Sequence, residues 1–444
     1  MALTAMQIYK SLPKTNCKEC GFPTCMAFAM QVAAKKKALA DCPHASDDAR
    51  SSLADASTPP MRLVKIGPAG KQFTTGQETV MFRHEEKFHH PTAIAVRIGS
   101  SLSLDDALLK VEKINASVFE RVGQKLNVEL CAVELDGCDD SSGRAKSIAD
   151  KCSVPLILVS KDAATMKAAA ESIKDNKPLL FGADNSTAES FAEIAAQLKC
   201  PMTVSGDSIE TVADAAEKAK NKGVQDIVLA FDGREGQKAL QNLTIARRAA
   251  LKKNFKALGY PTCVDVHEEN TGMECSATSA FAAKYAGIVI IDNVEPSELI
   301  SIMTVVQDIY TDPQKPNMVE AGVYEIGSPD ENSPVLFTTN FSLTYFSVAG
   351  EVERSKIPAY ISVVDTEGLG VLNAYAGDKI SVEKIIKAFN EQKLADKVKH
   401  RKLIIPGLLP IYKAEIEETS EWKEVLIGPE NASKIPSFLN EAWK

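Results

Sequence analysis

Four cysteines stand close together at the front of this chain. "NCKECGFPTC", residues 16–25, holds Cys17, Cys20 and Cys25, and Cys42 follows, giving the spacing C-x2-C-x4-C-x16-C. Four thiolates around one centre suit either zinc or a cubane cluster. Zinc ribbons favour two short C-x2-C hooks. Here one hook, a third cysteine five residues on and a distant fourth before Pro43 make a three-plus-one layout more typical of a [4Fe–4S] site. Gly21 and Pro23 permit the tight turns that would aim thiolates inward, and "MAFAMQVAAKKKALAD" (26–41) reads as a helix covering the centre and returning the chain to Cys42. The other six cysteines, Cys131, Cys138, Cys152, Cys200, Cys263 and Cys275, are scattered singly and read as small buried hydrophobes.

Two further groups of residues could do chemistry. Asp136, Asp184, Asn185, Asp207, Asp232, Asp265, Asp292 and Asn293 each follow a short apolar run, where they could hydrogen-bond a pterin or cap the next helix, the commoner role. Near the end, "TTNFS" (338–342), "DTEGLGVLNAYAG" (365–377) and "IPGLLP" (405–410) set small and hydroxyl residues after apolar runs, letting backbone approach a broad ligand closely.

The elements that must position these groups follow from pattern. At 444 residues the chain exceeds one ordinary core, and 45% hydrophobic with 25% charged residues is the balance of a globular protein. A net charge of −8 argues against nucleic acid or an anionic membrane as the main partner. Apolar runs are of strand length, no secretory signal is visible, and clustered cysteines suit a reducing compartment, so a cytoplasmic location is expected. Residues 57–92 are rich in Pro, Gly and charge and read as a linker with some short strands. From residue 93, eight apolar strands, "AIAVRI", "VELCAVEL", "VPLILVS", "PLLFGA", "PMTVS", "DIVLAF", "TCVDVH" and "GIVIID", alternate with helical patterns up to 315, the count of a (β/α)8 TIM barrel. "DPQKPNM" around Pro316 reads as a hinge. Beyond it "PVLFTTN", "PAYISVVD", "KLIIPG" and "KEVLIG" alternate with helices, predicting a doubly wound α/β domain over 316–444.

In that order, a cluster domain (1–56), linker, central barrel and C-terminal α/β domain, the chain resembles the large (gamma) subunits of the corrinoid/iron–sulfur proteins of the acetyl-CoA synthase/CO dehydrogenase system. "PKTNCKECGFPTCMAFA" with Cys42, "TTNFSLTYF", "DTEGLGVLNAYAG" and "IIPGLLP" carry the resemblance most specifically. It implies a methyl carrier of the reductive acetyl-CoA pathway. A corrinoid on the C-terminal domain, as Co(I), would take methyl from a methyl-tetrahydropterin held by a separate methyltransferase and pass it to acetyl-CoA synthase. A [4Fe–4S] cluster on Cys17, Cys20, Cys25 and Cys42 would return Co(II) to Co(I). The implied contacts are Thr339, Asn340, Thr344, Phe346, Gly368, Gly370, Val371, Leu372, Ala374, Gly377 and Gly407, and a small subunit would be the permanent partner. "DVHEEN" (265–270) resembles the cobalt-ligating D-x-H-x-x-G signature, but Asn270 fills the glycine position and His267 belongs to a barrel strand. His400, the only histidine of the C-terminal domain, precedes a strand, so a base-off corrinoid without a protein imidazole is expected. Two rivals stand beside this reading. In one the barrel is itself a pterin-dependent methyltransferase through Asp184, Asn185, Asp207 and Asp232; in the other the chain is an electron-transfer subunit.

Overall fold

The computed structural model describes residues 5–33, 41–46, 59–268 and 270–443. Contacts divide them into two compact units. One holds the described residues up to 81, with 92–115 and 129–293; the other holds 82–91, 116–128 and 294–443.

The first unit is built on a closed barrel of eight parallel strands. In chain order they are β3 (Ala93–Ile98), β6 (Leu130–Glu134), β7 (Leu156–Val159), β8 (Leu179–Phe181), β9 (Met202–Val204), β10 (Ile227–Asp232), β11 (Thr262–Asp265) and β12 (Ile288–Ile291), and β12 pairs back on β3. Seven fall within the apolar runs read from the sequence, and β10 runs one residue past its own, to Asp232. Such runs are almost continuously hydrophobic because the lumen and the helix layer bury both faces.

Within residues 59–92, the expected short strands are packed onto the barrel instead of forming a tether. Strands β1 (Leu63–Ile66) and β2 (Phe73–Gly76) form an antiparallel hairpin. Val64 and Ile66 are fully buried against Leu130, Ile157, Leu179, Val228 and Ile288, residues that open the barrel strands, so the hairpin plugs the amino end. The alternation Val64–Lys65–Ile66 supplies an apolar face to an opening that water would otherwise fill. The next residues are also tied down: Arg247 donates through Nε and Nη2 to the Val80 carbonyl at 3.0 and 2.8 Å.

The second unit contains a five-stranded sheet of order β13-β15-β14-β16-β17. Its strands are β13 (Gly322–Ile326), β14 (Val335–Thr339), β15 (Ala359–Val364), β16 (Lys402–Ile405) and β17 (Glu424–Ile427). All pairs are parallel except β13 with β15. Alternate residues feed two cores. Val335, Phe337, Leu403 and Ile405 pack with Ile385, Phe389 and Trp422 on one face, and Leu336, Ile361 and Ile404 pack with Val352 and Leu439 on the other. Helices therefore cover both faces, and the chain's winding reverses between β14 and β16.

The boundary expected at 315 falls earlier. The helix Pro296–Tyr310 after the last barrel strand groups with the C-terminal unit, as does a hairpin of β4 (Val118–Arg121) and β5 (Gln124–Asn127). The reason is a polar clasp: Arg121 donates to the Gln307 side chain and to Asp308, while Gln307 Nε2 donates to the Arg121 carbonyl at 3.1 Å and to Gln124 at 2.9 Å. Pro316 is not a hinge between units. It lies inside the second one, where a Cβ added to Gly368 would meet it at 2.9 Å. No described helix is long and apolar enough to cross a membrane.

Candidate functional site

The carboxyl ends of the barrel strands hold ion pairs and caps. Arg97, buried on β3, donates to Asp292 at 2.7 Å, to Glu134 at 3.0 Å and to Asp265. Burial alone would lower its pKa, but Asp265 and Asp292 outweigh that and hold it above the ordinary arginine value. Asp265 also pairs with His267 at 2.9 Å, so His267 belongs to the barrel mouth as its strand position implied. Asp136 accepts from the Lys161 amide, Asp184 from the amides and hydroxyls of Ser186 and Thr187, and Asp232 chelates Arg234. Asn185 accepts from Lys218, and Asn293 donates to Thr271. These acids hold their own loops, helices and neighbours.

The cysteine segment folds around a winding loop. Lys14, Asn16, Lys18 and Gly21 all have positive φ, and the helix Cys25–Ala33 begins at its third cysteine. Asn16 Oδ1 accepts the Cys25 amide at 2.8 Å, fixing the loop to the helix start. Cys20, Cys25 and Cys42 join one small apolar cluster with Ile8, Leu12, Phe22, Phe28 and Ala45, while Cys17 is exposed. Glu19 and His44 lie 3.0 Å apart beside Cys17. The expected helix over 26–41 is seen to Ala33; residues 34–40 lie outside the described residues. Four cysteines outside any disulfide, three of them in apolar surroundings with Cys25 at a helix start, make a donor set that fits a thiolate-held cluster.

The second unit carries a cavity of about 320 Å³ between β14 and β16, where the winding reverses. Open α/β sheets bind ligands at that crevice, because loops diverge there from adjacent strands. Thr338, Thr344, Ser347, Val371, Pro406 and Glu430 are among its lining residues. Among the described residues, the Thr338 and Thr339 hydroxyls are buried without a hydrogen-bond partner, and Thr338 lines the cavity. A buried hydroxyl left so costs free energy that a ligand acceptor or donor would recover. Leu343, Leu372, Tyr375 and Ile411, on the segments that follow β14, β15 and β16, are all exposed, an apolar rim for a broad ligand.

The eleven contacts expected here sort unevenly. Thr344 and Val371 line the cavity. Gly370 precedes Val371 as the helix N-cap, within 3.5 Å of Thr344 measured from an added Cβ, and Leu372 lies on the rim. Gly407 is where two loops meet: a Cβ there would stand 2.4 Å from the Gly428 carbonyl oxygen. Asn340 and Gly368 bond to each other, Gly368 N donating to Asn340 Oδ1 at 3.0 Å. Thr339 is buried on the face of β14 opposite Thr338, Ala374 is in the core, and Gly377 ends the short helix Val371–Ala376. Phe346 is turned away from the cavity. It packs over Gly123 of the β4–β5 turn and against Tyr345. Thr338, within the singled-out "TTNFS", together with Ser347 and the Gly428–Glu430 turn, lies outside the expected contacts, and Leu336, Phe337 and Thr338 all line the cavity.

His400 stands at the start of β16. Its Nε2 meets the Ser333 carbonyl at 3.0 Å, its Nδ1 accepts the Lys402 amide at 3.0 Å, and burial lowers its pKa.

Family models match almost the whole chain. One described as the CO dehydrogenase/acetyl-CoA synthase delta subunit matches residues 63–439, and one described as a putative Fe–S cluster matches residues 12–44, which include all four clustered cysteines. The chain is 40% identical over 440 residues to the corrinoid/iron–sulfur protein large subunit of Moorella thermoacetica, covering 99% of this chain and 98% of that one. It is 34% identical over 456 residues to the acetyl-CoA decarbonylase/synthase complex subunit gamma of Methanothermobacter thermautotrophicus, covering 99% of each. The corresponding subunit of Methanopyrus kandleri is 35% identical over 455 residues, covering 99% of this chain and 98% of that one.

Proposed function

This chain belongs to the family of corrinoid/iron–sulfur protein large subunits and acetyl-CoA decarbonylase/synthase gamma subunits, and from that premise we propose that it is the methyl-group carrier of an acetyl-CoA-forming system. A bound corrinoid would supply the chemistry of carrying a methyl group from a methyl-tetrahydropterin methyltransferase to acetyl-CoA synthase. In reaction class the chain is the methyl-accepting component of a corrinoid Co-methyltransferase system.

The residues of the C-terminal unit would hold, orient and shield that group. Thr338, Thr344, Ser347 and Val371 offer hydroxyls and an apolar wall in a cavity sized for a ring system or a nucleotide arm, not for a whole macrocycle. Leu343, Leu372, Tyr375 and Ile411 offer it an apolar rim, and a small subunit laid on the same rim would exclude water from the reacting face. Both ring nitrogens of His400 are engaged at the amino end of β16, so this ring would not be offered to a cobalt, in keeping with a base-off corrinoid. Cys17, Cys20, Cys25 and Cys42 would carry the [4Fe–4S] cluster that supplies the reducing electron.

The cavity at the winding reversal, with its unsatisfied Thr338 hydroxyl, is the observation that carries this reading. Iron, cobalt and zinc content tests it, on protein purified without oxygen together with its small partner. About four irons and one cobalt per chain are expected for a cubane plus a corrinoid. Iron without cobalt would leave an electron-transfer protein, and zinc alone would overturn the cluster.

A further inference from the structure

The Asn340 side chain, 4% exposed just beyond β14, is fully engaged by one turn of chain. Its Nδ2 donates to Asp365 Oδ1 at 2.8 Å. Its Oδ1 accepts the amides of Thr366 and Gly368, each at 3.0 Å. The Thr366 hydroxyl lies 3.0 Å from that same oxygen and 2.7 Å from the Leu369 carbonyl, and with one proton it donates to one of them at a time. Asp365 Oδ1 in turn accepts the Glu367 amide at 2.9 Å.

The turn held in this way is one the backbone does not favour. Glu367 and Gly368 have φ of +57° and +75°, and a non-glycine residue in the left-handed region is uncommon and costly. The turn leads within two residues to Gly370, the N-cap of the helix that presents Val371 to the cavity and Leu372 to the rim. Where residues 365–370 sit therefore sets where that helix starts.

The geometry points to Asn340 as a positioning residue of the corrinoid seat, one that shapes the 365–370 turn without touching the ligand; this rests on the reading of the preceding section. Only a planar amide meets the demands of the position. One edge must donate to a carboxylate while the other accepts two or three N–H and O–H groups. Aspartate keeps the accepting edge but sets a second carboxylate against Asp365, and alanine strands both sides without partners.

The test uses the full-length chain produced with its small partner, hydroxocobalamin as the titrant, and amide hydrogen exchange on the corrinoid-free protein. Asn340→Asp is expected to speed exchange at Thr366 and Gly368 and to raise the Kd for hydroxocobalamin, each by roughly tenfold, the cost of one buried charged mismatch. The double variant Asn340→Asp with Asp365→Asn restores a donor–acceptor pair across the same gap but turns an amide nitrogen toward the Glu367 amide, and is expected to recover part of each loss. A weakened Kd with unchanged exchange would make Asn340 a direct ligand contact and overturn the positioning role. So would exchange and Kd both unmoved by Asn340→Asp, or a double variant no better than the single one. Wild-type protein that binds no hydroxocobalamin would instead overturn the corrinoid reading itself, whatever the exchange shows.

Discussion

Asp184 ends a barrel strand where a pterin ligand could stand, and its partners give it a different task. Hydrogen bonds from Ser186, then from the amide and hydroxyl of Thr187, hold its carboxyl down at about 2. A carboxylate with a depressed folded pKa contributes stability above its unfolded value near 4, and that contribution is lost as pH falls through its folded value. Asp184→Asn is therefore expected to lower the urea midpoint at pH 7, with the gap from wild type closing between pH 4 and pH 2. Methyl-tetrahydrofolate binding by the wild-type chain alone, abolished in this variant, would return the residue to the pterin reading. At the other end of the chain, Cys42→Ser is expected to cut bound iron to less than half while leaving cobalt unchanged, because the two donor sets share no residue. Loss of both metals together would mean that one centre folds the other. The cysteines were legible because thiolate spacing is local. Thr338 was not, because "TTN" sets two adjacent threonines at a strand end and the sequence does not show which borders a cavity formed by loops that meet only in the fold.

At the scale of elements, what the sequence displayed was burial. The eight barrel strands and β14, β15 and β16 are apolar runs, buried largely on both faces, and these and the edge strand β17 were legible from hydrophobicity alone. The elements that escaped are partly exposed. β13 is an antiparallel edge strand with no fully buried residue, so no alternation marks it. The β4–β5 hairpin turns at Val122–Gly123, both at positive φ, without the Asn-Gly or Asp-Gly pair that announces such a turn. The β1–β2 plug reads as linker because its strands are only four residues long and glycine and proline lie between them. The cavity is likewise a product of elements, since it exists only where the loops after β14, β16 and β17 meet. Gly407 holds that junction, with the Gly428 carbonyl oxygen 2.4 Å and the Glu430 amide 2.7 Å from where a Cβ would sit. Gly407→Ala is expected to push the two loops apart, costing about 1–3 kcal/mol of stability and lowering the cobalt retained after gel filtration severalfold. Unchanged cobalt at lowered stability would separate the junction from the ligand seat.

For the whole molecule, the question is how one cluster serves a corrinoid that must also meet two other proteins. A hinge at Pro316 cannot supply the movement, because Pro316 buttresses the turn that carries Gly368 within one unit. The chain also passes between its two units five times, at 81/82, 91/92, 115/116, 128/129 and 293/294. The cluster segment differs: it joins the rest through a single stretch, the twelve residues between Ser46 and Pro59. A tether of that length holds its ends at an effective concentration on the order of millimolar, so a cluster carried on one would be presented to the cobalt without a permanent interface. Placing a protease site within residues 51–56 and cleaving it tests this. Each fragment is expected to keep its own metal, iron on the small piece and cobalt on the large one, while reductive reactivation slows and its rate becomes proportional to fragment concentration. A rate unchanged by cleavage and independent of dilution would mean that the cluster domain is docked by contacts instead of tethered, and the electron would then cross a fixed interface.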